Sequence, residues 1–267
     1  MTGMKDNVTI KLLDGSVWSK DELIHNMDDD EFYYKLCGKN MLSSSSAKLL
    51  LDSYKKYYYV QKYGQKETQP LRDGWLFHTA ILEPDVFENQ YFTWAKSKNT
   101  VAYRDAVLHH KDNKEVKVFT STEKASAERL ADAFLKNSGL VKYLNKAQTE
   151  VPIAGEVMGM PFRGKADIIT KDGGIIDLKT TTNIKNFKHS AYNFSYDLQC
   201  FVYSNLFNVS YKDFLFIAID KDSLVPKICE VSEEFYFSGE QKCERAIKEY
   251  IDNVDKDLNE YTLWEEL

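Results

Sequence analysis

The run FRGKADIITKDGGIIDLKTTT sets two carboxylates and a lysine, Asp167, Asp177 and Lys179, into two short segments of strand-forming residues. Alternate side chains of a strand share a face, so Asp177 and Lys179 point one way while Ile176 and Leu178 point the other. Hard divalent cations take carboxylate and carbonyl oxygens. Phosphodiester hydrolysis draws on a metal that polarises the phosphoryl oxygen and generates hydroxide near neutral pH. With Asp167 and Asp177 holding such an ion, Lys179 is suited to orient the attacking water or to stabilise charge developing on the phosphate. The competing reading is an ordinary cross-strand ion pair on a sheet face.

Whether Asp167 joins the other two depends on hairpin register, since a slip of one residue turns every side chain over. A two-residue Asp172-Gly173 turn would pair Ile168 with Asp177 and send Asp167 to the wrong face. A three-residue loop, Asp172-Gly173-Gly174, pairs Asp167 with Lys179 and Ile169 with Asp177, and its glycines suit the left-handed conformation such a loop needs. The second register is expected.

The elements around this hairpin follow from periodicity. SSSSAKLLLDSYKKYYYVQKYG opens with serine caps and spaces Leu49, Tyr54 and Tyr57 as a helix does. Further helices are expected over 71–81, 103–110 and 122–135. From about Gln148 the period becomes two, through TEVPIAGEVMG, MPFRGKADIIT and GGIIDLKTT, which reads as an antiparallel meander. A helix over 184–207, the apolar segments DFLFIAID and SLVPKICEV, and a closing amphipathic helix over 232–257 complete the order. The class expected is α/β (α+β): a mixed central sheet flanked by helices, with a helical N-terminal region over 1–145 and the core with its C-terminal helix over 146–267, forming one compact unit. On the 184–207 helix, Tyr192, Tyr196, Gln199 and Tyr203 fall on one stripe. For Tyr192 and Tyr196 a core face is an equal reading.

A carboxylate ending one strand followed by D-x-K on the next resembles the PD-(D/E)XK nuclease motif. GKAD and DLKTT resemble its phage-type branch, which includes exonuclease VIII and, more distantly, lambda exonuclease. The proline that precedes the first Asp in the motif is replaced by Ala166. LRDGWLFHTAILEPDVF resembles the branch's signature of a glycine, a histidine four residues later and a Leu-Glu-Pro that ends the helix. SSSSAKLLLDS resembles its serine-rich helix opening, and YDLQCFVYSNLF its glutamine-and-tyrosine helix. The likeness spans roughly 43–210. It implies a metal site of His78, Asp167 and Asp177, with Lys179, Glu150, Gln199 and Tyr203 as further active-site residues. Glu156 is the rival to Glu150 as the glutamate that opens the first core strand. The implied cofactor is Mg2+, with Mn2+ able to substitute. The implied activity is 5′-to-3′ digestion of one strand of linear double-stranded DNA, leaving 3′ tails for a single-strand annealing protein, by an enzyme assembled as a ring.

The formal charge of −6, from 35 basic and 41 acidic side chains, argues at first sight against a polyanionic partner. Its distribution does not. Residues 1–31 carry three bases and eight acids and residues 230–267 four and twelve, whereas 96–117 and 161–190 each hold six bases and three acids. No apolar run is long enough to span a bilayer and the N-terminus lacks a secretory core, so a cytoplasmic location is expected. Cys37, Cys200, Cys229 and Cys243 have the one-early, three-late order of iron-sulphur nucleases of the CRISPR-associated kind, but the late ones are too far apart for a tight cluster. That group and a catalytically inactive DNA-binding module are the alternative readings.

Overall fold

The computed structural model describes residues 8–113, 115–259 and 261–262. The first elements of the described residues are a hairpin, β1 (Thr9–Lys11) and β2 (Val17–Ser19), then α1 (Lys20–Asn26), a π-helical turn (Phe32–Leu36) and α2 (Cys37–Asn40). Next come α3 (Ser44–Asp52), α4 (Tyr54–Tyr63), α5 (Gln69–Leu82), α6 (Pro84–Glu88), β3 (Tyr91–Thr93), α7 (Val101–His110), β4 (Val118–Thr120), α8 (Ser121–Leu135) and α9 (Ser138–Val141). The core follows as β5 (Gln148–Val157), β6 (Met160–Ile169), β7 (Ile175–Thr181), α10 (Phe187–Asn193), α11 (Tyr196–Phe207), β8 (Phe214–Asp220), β9 (Pro226–Glu230) and α12 (Glu233–Asn253). Its sheet runs β5-β6-β7-β8-β9, antiparallel except for the parallel β7-β8 pair, whose crossover is supplied by α10 and α11.

Each face of the sheet has its own core. Phe162, Ala166, Ile175, Phe214 and Phe216 pack with α3, α4, α11 and α12 on one side. Ile168, Ile176, Leu178, Ile217 and Ile219 pack with Phe77, Ile81 and Leu82 of α5 and Leu130 and Phe134 of α8 on the other. The mixed sheet between helices is therefore as expected.

Several local expectations are corrected. The serine-rich helix is two helices: Ser43 caps α3 through a capping box with Ser46, and Ser53, in extended backbone, ends α3 while its hydroxyl accepts from Lys56 N–H to start α4. The 184–207 helix is also interrupted, because Ser195 sits in the left-handed region at φ 55°. Tyr192 thus belongs to α10, and the single stripe of Tyr192, Tyr196, Gln199 and Tyr203 does not form. The N-terminal region is not purely helical, since it includes the β1-β2 hairpin and a parallel β3-β4 pair.

The β6-β7 register is shifted by two residues from the expected one. Ile168 pairs with Ile176 and Ile169 with Ile175, and Thr170 N–H donates to Gly174 O at 2.8 Å, so the loop is Lys171-Asp172-Gly173. Gly173 takes the left-handed conformation at φ 86°, whereas Gly174, just before β7, is packed so closely that a Cβ would lie 2.9 Å from Asp213 O. An even shift leaves each face unchanged.

Candidate active site

Asp167 sits where the regular alternation of β6 fails. Phe162 and Ala166 face one core while Ile168 faces the other, so the strand turns over at Asp167. There the β6-β7 ladder opens, and Asp167 Oδ2 accepts a hydrogen bond from Leu178 N–H at 2.7 Å in place of a backbone partner. On the other side of β6, Glu150 lies opposite Asp167 and adopts φ 51°, a left-handed conformation inside a strand. Strain of this kind persists only where its surroundings enforce it and gathers at functional sites. Thr149, next to it, donates its hydroxyl to Leu82 O at 3.2 Å and fastens β5 to the end of α5.

His78 comes from α5. Phe77 beside it is fully buried against the sheet, which sets the helix so that His78 Nδ1 lies 3.3 Å from Asp167 Oδ2. His78, Glu150 and Asp167 each offer a ligand atom within 4.8 Å of the others, the one such group of three among the described residues. Asp177 is nearly inaccessible, at 1% exposure. Its Oδ2 accepts from Gln199 Nε2 of α11 at 2.5 Å, and its Oδ1 lies against the Lys179 ammonium without a well-directed hydrogen bond. Lys179 in turn lies over the Tyr196 ring, 4.8 Å from its centroid. Tyr203 does something different. Its hydroxyl donates to Lys165 O at 3.1 Å and accepts from Lys165 N–H at 3.3 Å, and its ring fills the space that a Cβ at Gly164 would occupy, so it clamps β6 just before Asp167. Glu156 lies at the far end of β5, opposite Pro161.

The electrostatics follow from crowding charge into a largely buried site. Burial and the neighbouring Asp167 charge raise the Glu150 carboxyl to about 7, against the opposing pull of His78. Burial raises Asp177 to about 6; Lys179 opposes the shift and Asp167 reinforces it. Burial alone would raise Asp167 too, but His78, Lys179 and the Leu178 N–H hold it below its ordinary value. For His78, burial favours the neutral ring, and the Asp167 charge overcomes it to leave the pKa raised. Three carboxylates meet here with one lysine and one imidazole. Two carboxylates and an imidazole nitrogen within mutual reach form a donor set that fits Mg2+ or Mn2+, and an added positive charge would relieve the Asp167 repulsion that adds to burial in raising Glu150.

The chain matches the family model described as "PDDEXK-like domain of unknown function (DUF3799)" over residues 43–259. The chain belongs to this family. Its PDDEXK-like core aligns with the crystal structure of a "putative exonuclease" from Eubacterium rectale, with a TM-score of 0.60 at 15% identity, over 90% of this chain and 95% of that one. That likeness is one of fold. The crystal structure of SSO0001 aligns at a TM-score of 0.32 and 18% identity over 67% of this chain and 85% of that one, too loosely to carry an argument. No curated protein matches the sequence.

Some neighbours of the PDDEXK-like site were not singled out by sequence. Lys48 of α3 is close enough to Lys179 for their charges to interact, and Tyr34 and Glu83 act in the same way on Glu150. Glu83 lies in the Leu-Glu-Pro that ends α5, so a signal existed for it; none existed for Lys48 or Tyr34. The cysteines are dispersed: Cys37 is in the N-terminal core, Cys200 and Cys243 are buried in the core beside α11 and α12, and Cys229 only packs against that core. Burial raises the thiols of Cys37 to about 11 and of Cys200 and Cys243 to about 12, the behaviour of inert core cysteines. Among the described residues no helix is long and apolar enough to cross a membrane.

Proposed function

We propose that this PDDEXK-like chain is a magnesium-dependent deoxyribonuclease that digests linear double-stranded DNA from its ends, with manganese able to substitute. The observation that carries the reading is the convergence of His78, Glu150 and Asp167 beside the Asp177–Lys179 pair. His78, Glu150 and Asp167 would hold the ion, with Asp177 beside them as a further carboxylate. The ion, when bound, polarises the scissile phosphate and lowers the pKa of water. Lys179, beside Asp177, would offer its ammonium to the phosphate oxygens or to the attacking water. Gln199 steadies Asp177 through its amide, and Leu178 N–H fixes Asp167 so that little reorganisation accompanies the reaction. Tyr203 is a positioning residue, because it acts on Asp167 through the Lys165 backbone.

Cleavage from the 5′ end, 3′ tails passed to a single-strand annealing protein and a homo-oligomeric ring are supported by the resemblance of GKAD, DLKTT and LRDGWLFHTAILEPDVF to the phage exonuclease branch. The test is digestion of a linear duplex labelled at one 5′ end, beside the same DNA as a covalently closed circle. Magnesium-dependent release of the 5′ label from the linear form alone is expected. Cleavage of the circle would make the protein an endonuclease, and release from the 3′ end would reverse the polarity.

A further inference from the structure

Helix α4, YKKYYYVQKY, carries Lys55, Lys56 and Lys62 and no acidic residue, in a chain whose acids outnumber its bases by 41 to 35. Its inner face is anchored by Tyr54 and Tyr57, both buried, which meet Tyr250 of α12 edge-on at 6.1 and 5.8 Å between ring centroids. Its outer face is unusual. Tyr59 and Tyr63 are 46% and 69% exposed, yet their rings stack on each other at 5.8 Å with 18° between their planes. The Lys62 ammonium lies 5.5 Å from the Tyr58 ring centroid and 5.4 Å from that of Tyr63. A stacked aromatic pair left in water, interleaved with ammonium groups, offers flat surfaces to bases and positive charge to the backbone that joins them. Duplex DNA keeps its bases stacked on one another and has little use for exposed rings, whereas a single strand can lay its bases on them.

We propose that the outer face of α4, built on Tyr59, Tyr63, Lys55 and Lys62, is a binding surface for single-stranded nucleic acid, separate from the catalytic cleft. Continuity with that cleft supports it. Lys48, one helix earlier on α3, lies within electrostatic reach of Asp52 and Lys56 by α4 and of Lys179 in the site, so the helix and the site are neighbours. Of these, Lys56 is paired with Asp52, which leaves Lys55 and Lys62 as the more available charges on α4. A strand separated from its complement at the cleft would be led along this path. This assignment of the strand's origin rests on the nuclease reading, but the binding itself does not.

The test is fluorescence anisotropy of the full chain in EDTA, where cleavage is suppressed, with a labelled 20-nucleotide oligothymidylate and a labelled 20-base-pair duplex. Tyr59→Ala/Tyr63→Ala is expected to weaken binding of the single strand by at least about tenfold and binding of the duplex by less than about twofold. Tyr59→Phe/Tyr63→Phe should restore it, because the ring and not the hydroxyl is used. Lys62→Gln should reduce the salt dependence of single-strand binding by about one charge. Unchanged single-strand affinity in the alanine variant overturns the proposal. Equal weakening of both DNAs overturns it as well, since that would mark a phosphate contact alone. So does loss restricted to association with a protein partner. Loss of single-strand binding by a variant that still digests duplex at the wild-type rate supports the surface independently. Absent cleavage with intact, tyrosine-dependent strand binding would remove the nuclease reading and leave this one standing.

Discussion

Side-chain alternation made Asp177 and Lys179 legible as a pair on one face, because a strand leaves its side chains no other choice. Glu150 shows the limit of such reasoning. Its left-handed backbone, which brings the carboxylate to His78 and Asp167, is imposed by tertiary structure and has no local signal, so likeness to other nucleases, and not periodicity, pointed to it. Asp167 likewise acts by breaking the alternation on which the register argument depended. Lys179→Met is expected to lower the cleavage rate by at least about a hundredfold while leaving Mg2+ affinity within a few-fold, since in the proposed mechanism the lysine addresses the substrate and not the ion. Parallel loss of both in rate and calorimetric measurements would refute that division. Proton linkage gives a second expectation. His78 and Glu150 both have raised pKa values and, as the proposed ligands, must be deprotonated to bind an ion, so Mg2+ affinity should climb between about pH 6 and 8. A flat calorimetric profile over that range would count against these two as ligands.

At the scale of elements, long periodic segments were readable and their interruptions were not. The break at Ser195 lies beside the close packing of α11 and α12, where Gly239 approaches α11 so nearly that a Cβ would lie 2.1 Å from Asp197 O. The fully buried Asp197 side chain accepts from Ser238 at 2.6 Å and from Lys242 at 2.8 Å, which holds the start of α11 against α12. Gly239→Ala must push the helices apart and should cost about 1–3 kcal/mol or more, read as a lower midpoint in urea. An unaltered midpoint would show that this contact is not a constraint. On the opposite face, Arg72 of α5 and Glu123 of α8 form a buried pair at 2.8 Å, with Arg72 also stacked on Phe119. Burial opposes ionisation of Glu123, but the Arg72 bonds and Thr120 N–H prevail and lower its carboxyl to about 2. A depressed carboxylate pKa stabilises the fold fully above its unfolded value of about 4.3, and that contribution fades as pH falls towards 2. Glu123→Gln leaves a buried guanidinium short of a partner and should cost about 3 kcal/mol at neutral pH. It should also make stability less sensitive to acid below about pH 5. Denaturation at pH 7 and pH 4 checks both, and a variant as stable as wild type at pH 7 would contradict them.

For the molecule as a whole, the alternation of helical and strand periods was enough to foresee a mixed sheet between helical layers, while the two-residue register shift, which leaves every face unchanged, had no signal in that alternation. The net charge of −6 is no obstacle to a DNA-directed enzyme when the excess of acids over bases lies at the two ends of the chain. The central claim is that the cleft between α5 and the opened β5-β6-β7 strands is a metal-dependent nuclease site. The most direct measurement is degradation of linear duplex DNA across a Mg2+ titration by wild type and by Asp167→Asn and Glu150→Gln, each shown to be folded by its thermal midpoint. Wild-type cleavage that requires Mg2+, and its loss in both folded variants, is the predicted result; Mg2+-dependent cleavage that survives both substitutions would place the chemistry elsewhere.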